Sequence, residues 1–337
     1  MSRKVYRVSR AGSLNNPKLI EETFHEPAPD EVAVDVKAIG LNFADLFAIQ
    51  GLYSATPKGS FIPGLEYAGR IAALGSDVKD FKVGDRIMGV TKFGAYASRL
   101  NIDHRYITKL PDDWSFEEGA SYIVQALTAF YALVDLGNIK DNYSVLINSA
   151  AGGVGIYSNR IAKKFNAFTI GTVGSESKVE FLKSEGYDEV IVRDNEFSNN
   201  LKNVINDIEL NIVLDSIGGR VFTESLKLLS PTGRIIVYGA AQFMSHSARP
   251  NHFKLLLKYL NRPKLDPLSL VDGNKSVMGF NLIYLWEKGE LHELLYRLSK
   301  LHLEKPYIGH TFSFDDLPSA LKLFQSGNTI GKVVIKL

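Results

Sequence analysis

The stretch Ser144-Val-Leu-Ile-Asn-Ser-Ala-Ala-Gly-Gly-Val-Gly155 decides the fold of this chain. Its aliphatic run, Val145-Leu-Ile147, is typical of a buried strand. A glycine-rich turn at 150–155 then leads into a helix-like segment, Ile156 to Phe165. A strand, a tight turn and a helix in this order present free backbone N–H groups to a pyrophosphate. The usual motif is G-x-G-x-x-G, and Ala150 stands in place of its first glycine. An ordinary glycine turn that binds no cofactor therefore remains an alternative interpretation at this point.

Strand-like and helix-like segments alternate on the C-terminal side of this turn. Apolar strand-like runs at 168–173, 189–192, 212–215 and 234–238 are separated by helical segments at 177–186, 201–208 and 223–229. This repetition of βα units predicts a parallel, doubly wound sheet with helices on both faces. Residues 1–124 instead contain short strand-like runs between glycine and proline turns, which predicts an irregular antiparallel β domain. We therefore expect an α/β protein with two domains.

The composition argues against several classes of function. The 337 residues carry a formal net charge of +2, which gives no reason to expect nucleic acid or an acidic partner. Cysteine is absent, so the chain has no disulfide and no thiolate metal ligand, as suits a reducing cytosol. The N-terminus lacks the apolar region of a secretory signal, and we expect no window of 18 uncharged apolar residues. These features predict a soluble, cytoplasmic protein.

Motifs along essentially the whole chain resemble those of one family. They are Gly40-Leu-Asn-Phe-Ala-Asp45, Gly51-Leu-Tyr53, Pro63-Gly-Leu-Glu-Tyr-Ala-Gly69, Val83-Gly-Asp-Arg-Ile87, Gly94-Ala-Tyr-Ala97, 150–155, Asp215-Ser-Ile-Gly-Gly219 and Gly331-Lys332. In this order they resemble the zinc-free quinone oxidoreductase branch of the medium-chain dehydrogenase/reductase superfamily. Two further segments, Pro263-Lys-Leu-Asp-Pro267 and 274–282, are similar to its vesicle amine transport protein subgroup.

The resemblance implies a division of the chain into two domains. A GroES-like irregular β-barrel catalytic domain is expected at 1–124, and the terminal segment 303–337 is expected to complete it. A Rossmann domain with a doubly wound parallel sheet is expected at 125–302.

The resemblance also implies that this chain holds no metal. Zinc-dependent members of the superfamily bind catalytic zinc through cysteine and histidine. The matching positions here are Asn42, Leu65 and one near Val124, and none supplies the thiolate or imidazole that zinc prefers. The seven histidines show no convincing ligand spacing.

The residues after the second strand of the βα series favour NADP(H) over NAD(H). Gly174 and Ser175 occupy the place where an acidic residue would bind the ribose 2′-hydroxyl. Lys178 and Arg193 lie at loop ends nearby and suit a 2′-phosphate, and the alternative is that both are solvated surface charges. Glu176, an acidic residue in the same loop, argues weakly against NADP(H). The resemblance adds the other expected cofactor contacts, which are Asn42, Thr128, Ala151, Gly152, Gly153, Val154, Ser216, Tyr238, Gly239, Ala240, Phe280, Asn281 and Asn328.

Hydride transfer without zinc requires other groups to stabilise the charge that develops on the substrate oxygen. Quinones and α,β-unsaturated carbonyls delocalise that charge, so they are expected to be better substrates than simple ketones. The resemblance points to Asn42 and Tyr53 as catalytic hydrogen-bond donors. The alternatives are that Asn42 only caps a helix and that Tyr53 only packs at the base of a loop.

Three hypotheses about function follow. The first is an NADPH-dependent quinone reductase, and the second is a 2-alkenal or enone reductase on the same scaffold. The third, of another class, is a lipid- or membrane-associated protein that uses NADPH as a structural ligand.

Two segments bear on partners other than the small-molecule substrate. The apolar segment Val277 to Ile283 is expected to be an edge strand that pairs two copies into a homodimer. The segment His252 to Lys264 predicts a basic amphipathic helix, which could lie on an anionic membrane. We expect instead that the apolar face of this helix packs on its own fold. The three cations of its basic face, Lys254, Lys258 and Arg262, would each attract anionic lipid by only about 1 kcal/mol.

Overall fold

The computed structural model describes residues 1–245, 247–286 and 289–337. In these residues the strands are β1 (Ser2–Val8), β2 (Pro17–Thr23), β3 (Glu31–Gly40), β4 (Glu66–Leu74), β5 (Arg86–Val90), β6 (Arg99–Asp103), β7 (Ile107–Lys109), β8 (Ser144–Ile147), β9 (Phe168–Val173), β10 (Glu189–Val192), β11 (Ile212–Asp215), β12 (Arg234–Val237), β13 (Ser276–Gly279), β14 (Ile308–Ser313) and β15 (Lys332–Lys336). The α-helices are α1 (Phe43–Ile49), α2 (Phe116–Gly119), α3 (Ile123–Phe130), α4 (Gly153–Lys163), α5 (Val179–Ser184), α6 (Phe197–Val204), α7 (Gly219–Leu228), α8 (His252–Leu260), α9 (Pro267–Gly273), α10 (Leu282–Leu285), α11 (Leu291–Ser299) and α12 (Leu317–Gln325).

The C-terminal half is built on a parallel sheet with the order β10-β9-β8-β11-β12-β13. The predicted doubly wound sheet is thereby confirmed. Strand β8 is buried along its whole length at the centre, as its aliphatic run requires. The strand order reverses between β8 and β11, so a crevice opens there beyond the carboxyl ends of the strands. Such a switch point is where this kind of sheet binds its ligands.

Two helices begin earlier than the apolar pattern suggests. Helix α6 begins at Phe197 instead of Leu201, and α7 begins at Gly219 instead of Thr223. At α7 the Asp215 carboxylate accepts hydrogen bonds from the N–H group of Gly218 at 3.0 and 3.2 Å. Gly218 itself has a φ of 83°, so the chain turns from β11 directly into the helix.

The N-terminal half contains a second, mainly antiparallel sheet with the order β14-β15-β3-β4-β5-β7, and β6 also pairs with β3. Strand β15 pairs antiparallel with β3 and parallel with β14. The last strands of the chain therefore lie in the first sheet, as the resemblance implied. Strands β1 and β2 form a separate hairpin.

The segment Phe116–Leu136 connects the two halves and includes α2, α3 and a π-helical turn at Tyr131–Leu136. By length and composition this helical segment is long and apolar enough to cross a membrane. Each of its 18-residue windows contains Glu or Asp, so the expected absence of an uncharged apolar window of that length still holds. About two thirds of the window is buried inside the protein, however (67%). Such burial is what the core helix of a globular fold shows, so the segment is weak evidence for a membrane span.

The expected edge strand at 277–283 is shorter than predicted. Strand β13 ends at Gly279, and the side chain of Asn281 then accepts a hydrogen bond from the N–H group of Ile283 at 3.4 Å. This contact starts α10, so the apolar residues after Asn281 belong to a helix. Strand β13 does lie at the edge of the parallel sheet.

Helix α8 lies with its apolar face outward, which contradicts the expectation that this face packs on its own fold. Phe253, Leu256, Leu257 and Leu260 are 45–69% exposed. Of the helix residues only Leu255 is partly buried. Since the side of the helix that carries Leu255 rests on the protein, the opposite apolar stripe has no partner among the described residues.

Candidate active site

The glycine turn between β8 and α4 has the shape that a diphosphate needs. Gly152 is the N-cap of α4, and the first N–H groups of a helix have no partner within that helix. A Cβ on Gly155 would lie 2.4 Å from the carbonyl oxygen of Ala150, so this glycine lets the helix approach the strand. Within the part of the chain that the structure describes, a Cβ on Gly152 would have one non-adjacent neighbour within 4 Å, the carbonyl oxygen of Ser149 at 3.4 Å. The space above Gly152 is therefore open to a ligand.

A cleft of about 1450 Å³ runs from this turn to the first sheet. Every residue that the sequence pointed to lies on its wall, and these are Asn42, Tyr53, Thr128, Ala151, Gly152, Gly153, Val154, Gly174, Ser175, Lys178, Arg193, Ser216, Tyr238, Gly239, Ala240, Phe280, Asn281 and Asn328. The structure thus brings the predicted set together. The individual role of each residue stays a prediction.

Two cations lie at one end of the cleft, and neither is a solvated surface charge. Arg193 donates from Nη1 to Thr172 Oγ1 at 2.7 Å, and burial lowers its pKa to about 10, with Asp215 opposing that change. Lys178 donates from Nζ to the carbonyl oxygens of Gly327 and Thr329 at 2.7 and 2.9 Å. Burial also lowers the pKa of Lys178, and the nearby charge of Arg193 adds to the effect.

These cations fit the 2′-phosphate of NADP(H). A guanidinium has five N–H donors, and Arg193 makes one hydrogen bond to a side chain in the described structure. Gly174 adjoins it so closely that a Cβ there would lie 3.3 Å from Arg193 Nη2. A dianion would supply the partner that this partly desolvated arginine lacks. Ser175 accepts a hydrogen bond from the N–H group of Ser177 at 3.4 Å, which holds its hydroxyl beside the same end.

Tyr53 lies at the other end of the cleft and links the two halves of the protein. Its hydroxyl donates to Asn281 Oδ1 at 2.7 Å. Burial raises the pKa of Tyr53 to about 12, the hydrogen bond to Asn281 lowers it, and the charge of Asp45 raises it further. Tyr53 therefore keeps its proton at neutral pH, which suits hydrogen bonding better than acid–base chemistry.

The walls around Tyr53 are apolar. Phe43, Phe47 and Trp286 line this part of the cleft, and the Trp286 ring stacks on Tyr106 with centroids 3.6 Å apart. On the side of the parallel sheet, Phe280 packs against the ring of Tyr131 with centroids 5.0 Å apart. A flat conjugated molecule fits such walls, since aromatic side chains offer contact area without needing polar partners.

Asn42 is the N-cap residue of α1, but its side chain takes part in a buried polar cluster. Its Oδ1 accepts hydrogen bonds from Gln125 Nε2 at 2.6 Å and from Lys332 Nζ at 2.9 Å. Its Nδ2 donates to Glu66 Oε1 at 3.1 Å and to the carbonyl oxygen of Gly40 at 3.2 Å. Both amide hydrogens thus face protein acceptors. The structure makes Asn42 part of the floor of the cleft, and a donor role toward substrate stays a prediction.

The sequence reasoning missed the other members of this cluster. Glu66 and Lys332 stand in two of the quoted motifs, yet neither received a role. The available signal was a lone acidic residue in one apolar strand and a lone basic residue at the start of another. Buried opposite charges of this kind are rare unless they are paired.

Asp45 should make the stability of the protein depend on pH. Its carboxylate is buried and accepts hydrogen bonds from the Asn42 N–H group at 2.8 Å and from Tyr96 Oη at 3.0 Å, while Oδ1 has no hydrogen-bond partner among the described residues. Burial raises its pKa from 3.8 to about 7, against the lowering effect of these hydrogen bonds and of Lys332. The folded state therefore keeps a proton that the unfolded chain releases, and the free energy of unfolding should fall by about 3 kcal/mol between pH 4 and pH 7.

Urea unfolding at several pH values would measure this effect, with Asp45→Asn as the comparison. The amide has nearly the shape of the carboxyl group and does not titrate, so its stability should decline less over the same range. Parallel curves for the two proteins would contradict the assignment to Asp45.

Comparison with known proteins agrees with this architecture. Residues 28–112 match the family model for the alcohol dehydrogenase GroES-like domain, and residues 153–299 match that for zinc-binding dehydrogenase. The chain is similar to the synaptic vesicle membrane protein VAT-1 homologs of Danio rerio and Homo sapiens. Identity is 36% over 313 residues for the fish protein, covering 90% of this chain and 64% of the relative. It is 33% over 314 residues for the human protein, covering 92% of this chain and 79% of the relative.

Solved structures of similar shape include two reductases. One is the Escherichia coli quinone oxidoreductase complexed with NADPH, with a TM-score of 0.82, 26% identity and full coverage of both chains (100%). The other is the CurK enoyl reductase, with a TM-score of 0.83, 27% identity and 99% coverage of both chains. Although one matched model is named for zinc binding, no group of three or more His, Cys, Asp or Glu side chains that could hold a metal lies among the described residues. The two matched models, the identities over nine tenths of the sequence and the shared fold agree, and the chain belongs to the medium-chain dehydrogenase/reductase superfamily.

Proposed function

We propose that this protein is an NADPH-dependent quinone oxidoreductase that works without zinc. The observation that carries the proposal is the cleft itself, which has two desolvated cations at one end and an apolar, aromatic chamber with Tyr53 at the other. The cofactor is NADP(H), as in the NADPH complex of the similar Escherichia coli quinone oxidoreductase. A metal-free chamber favours acceptors that spread negative charge over a conjugated system.

The residues of the chamber have distinct tasks in this reaction. Bound NADPH supplies a hydride, and the balance of the reaction needs one proton to convert a quinone to the hydroquinone. The aromatic walls hold the acceptor flat and exclude water. Tyr53 stays protonated and offers a hydrogen bond to the acceptor oxygen in place of Asn281, while the proton comes from solvent.

Steady-state oxidation of NADPH with a panel of quinones and 2-alkenals tests the proposal, with NADH as the control cofactor. We expect turnover of quinones by the wild type and a loss of about tenfold or more in kcat for Tyr53→Phe, because a charge-stabilising donor is removed. Tyr296→Phe is a matched control, since Tyr296 is 55% exposed on α11 and is not among the residues that line the cleft. No NADPH oxidation with any quinone would refute the proposal.

A 2-alkenal or enone reductase is the alternative on the same scaffold. The fold similarity to the CurK enoyl reductase supports it, because the same hydride can reduce a conjugated carbon–carbon double bond. A kcat/KM for alkenals that exceeds the value for every quinone would favour this alternative.

We propose that two copies of the chain form a homodimer through the edge of the parallel sheet. Strand β13 lies at that edge, and Leu268 and Val271 on the adjoining α9 are 69% and 74% exposed. Pairing of two β13 strands about a two-fold axis would satisfy the open backbone groups and cover this apolar surface. Light scattering should give twice the chain mass at micromolar concentration, and Val271→Asp should lower it toward the monomer. A monomeric wild type would contradict the proposal.

Peripheral membrane contact is the candidate of another class, and the outward apolar face of α8 favours it over our original expectation. Lys254 is exposed on another face of this helix and Arg262 is exposed just beyond its end, while Lys258 donates to the carbonyl oxygen of Gln242. We propose that the protein is cytoplasmic and touches anionic membranes through α8. Co-sedimentation with phosphatidylserine vesicles at physiological salt should be lost in Leu256→Ser/Leu257→Ser. If the wild type and the double variant both stay in the supernatant to the same extent, membrane contact through α8 is refuted.

A further inference from the structure

The floor of the cleft contains a buried ion pair that the proposed chemistry does not use. Lys332, the first residue of β15, contacts Glu66 Oε1, the first residue of β4. Their side chains are 3% and 1% exposed. Glu66 Oε2 also accepts a hydrogen bond from the N–H group of Val124 at 3.1 Å. The pair thus links β15 and β4, which lie on either side of β3 in the first sheet, to the start of α3.

Stability alone does not account for this pair. Removing two charges from water costs several kcal/mol per ion, and a well-packed apolar pair at the same place is often as stable. Burial indeed lowers the pKa of Lys332, while the charge and hydrogen bond of Glu66 raise it. A buried pair that is costly in this way is better explained by what its geometry holds in place.

The ion pair fixes the orientation of two amides. Lys332 and Gln125 both donate to Asn42 Oδ1, and Glu66 accepts from Asn42 Nδ2. A flipped Asn42 would place its NH₂ group against two donors, so only one orientation is compatible with the pair. Gln125 in turn packs under the glycine turn, since a Cβ on Gly153 would lie 2.8 Å from Gln125 Oε1.

The main chain links the same lysine to the same turn. The N–H group of Gly331, next to Lys332, donates to the carbonyl oxygen of Ala151 at 2.8 Å. Gly152 and Gly331 form a parallel bridge between the two halves of the protein. Strand β15 therefore reaches the turn by its backbone and, through Asn42 and Gln125, by the Lys332 side chain.

We propose that Lys332 is a positioning residue for hydride transfer. With Glu66 it holds Asn42 and Gln125 beneath the glycine turn, and this fixes the cofactor in relation to the apolar chamber that takes the acceptor. The inference rests on the proposed reductase function. Transfer rates respond steeply to such placement, because a misplacement of about 1 Å can cost about a hundredfold in rate.

The test removes both charges at once. In Lys332→Met/Glu66→Gln the ammonium is lost, no buried charge is left unpaired, and the new amide can still accept from Val124. The matched control is Lys336→Met/Glu117→Gln, which removes an ion pair of 2.8 Å from the same strand, where the Lys336 side chain is 65% exposed. Gln125→Met breaks the connection at its other end and keeps both charges of the ion pair, losing only the 3.4 Å hydrogen bond from Gln125 Nε2 to Glu66 Oε1 on that side. It serves if the first variant does not fold.

Two readouts separate positioning from a structural role. Amide hydrogen exchange of 150–155 with NADPH bound should rise about tenfold or more in Lys332→Met/Glu66→Gln and stay unchanged in the control. Single-turnover oxidation of NADPH by a quinone should fall about a hundredfold. The Kd for NADPH should stay within about threefold, because the cations at the far end of the cleft are intact.

Wild-type exchange and transfer rates in the charge-free variant would overturn the inference. A rate that falls only in step with NADPH affinity would overturn it as well, since the residue would then serve binding alone. A wild-type protein that reduces no acceptor would refute the proposed function, and the exchange measurement would still decide whether Lys332 positions the turn.

Discussion

Lys178→Ala/Arg193→Ala is expected to bind NADPH about a hundredfold more weakly than the wild type, while its affinity for NADH stays within about threefold. Hydrogen bonds to charged groups contribute about 1.5–3 kcal/mol each, and the double variant removes those of two cations. Both side chains are partly desolvated, so their attraction for a phosphate is screened less than that of surface lysines. Fluorescence titration with each cofactor measures the two affinities.

The two single variants should differ from each other. Lys178 also binds the carbonyl oxygens of Gly327 and Thr329, so its loss loosens the loop beside β15 as well as the phosphate contact. Lys183→Ala is the control, because Lys183 is an exposed lysine on α5 that pairs with Glu180. Equal affinities of the wild type for NADPH and NADH would contradict the assignment, as would unchanged NADPH binding by Lys178→Ala.

Lys332→Met alone is expected to lower the free energy of unfolding by about 3–5 kcal/mol, because it leaves the buried Glu66 carboxylate without its counter-charge. Adding Glu66→Gln should restore most of that loss, since the neutral amide has no charge to desolvate. Urea unfolding of the two single variants and the double variant forms a double-mutant cycle that measures the coupling. A single variant within about 1 kcal/mol of the wild type would show that the pair is not desolvated as described.

The sequence predicted the parallel sheet because local signals encode it. The run before the glycine turn could only be a buried strand once a helix followed at that spacing, and the later βα units repeated the pattern. Most residues on the cleft wall were predicted from the family resemblance, whereas Ser175, Lys178 and Arg193 were predicted from their places after the strands of this sheet. In an open α/β sheet the loops after the strands meet at one edge, so motif position alone indicates proximity.

The buried cluster could not be predicted in this way. Glu66, Gln125 and Lys332 come from β4, α3 and β15, which are far apart in the chain, and no periodic pattern connects them. The orientation of helix α8 could not be predicted for a different reason. Its amphipathic pattern was correct, but a pattern identifies the apolar face without saying whether the fold supplies a partner for it.

The position of β15 between β14 and β3 imposes an order on folding during synthesis. Strands β8 to β13 follow one another along the chain, so the parallel sheet can form as soon as its own residues have left the ribosome. Strand β3 must wait for a partner that is translated after that whole sheet. Until Lys332 arrives, the nascent first sheet has an open edge, and Glu66 lacks its ammonium. The parallel sheet can therefore be complete before the first sheet is, and β15 is the strand that completes the first sheet.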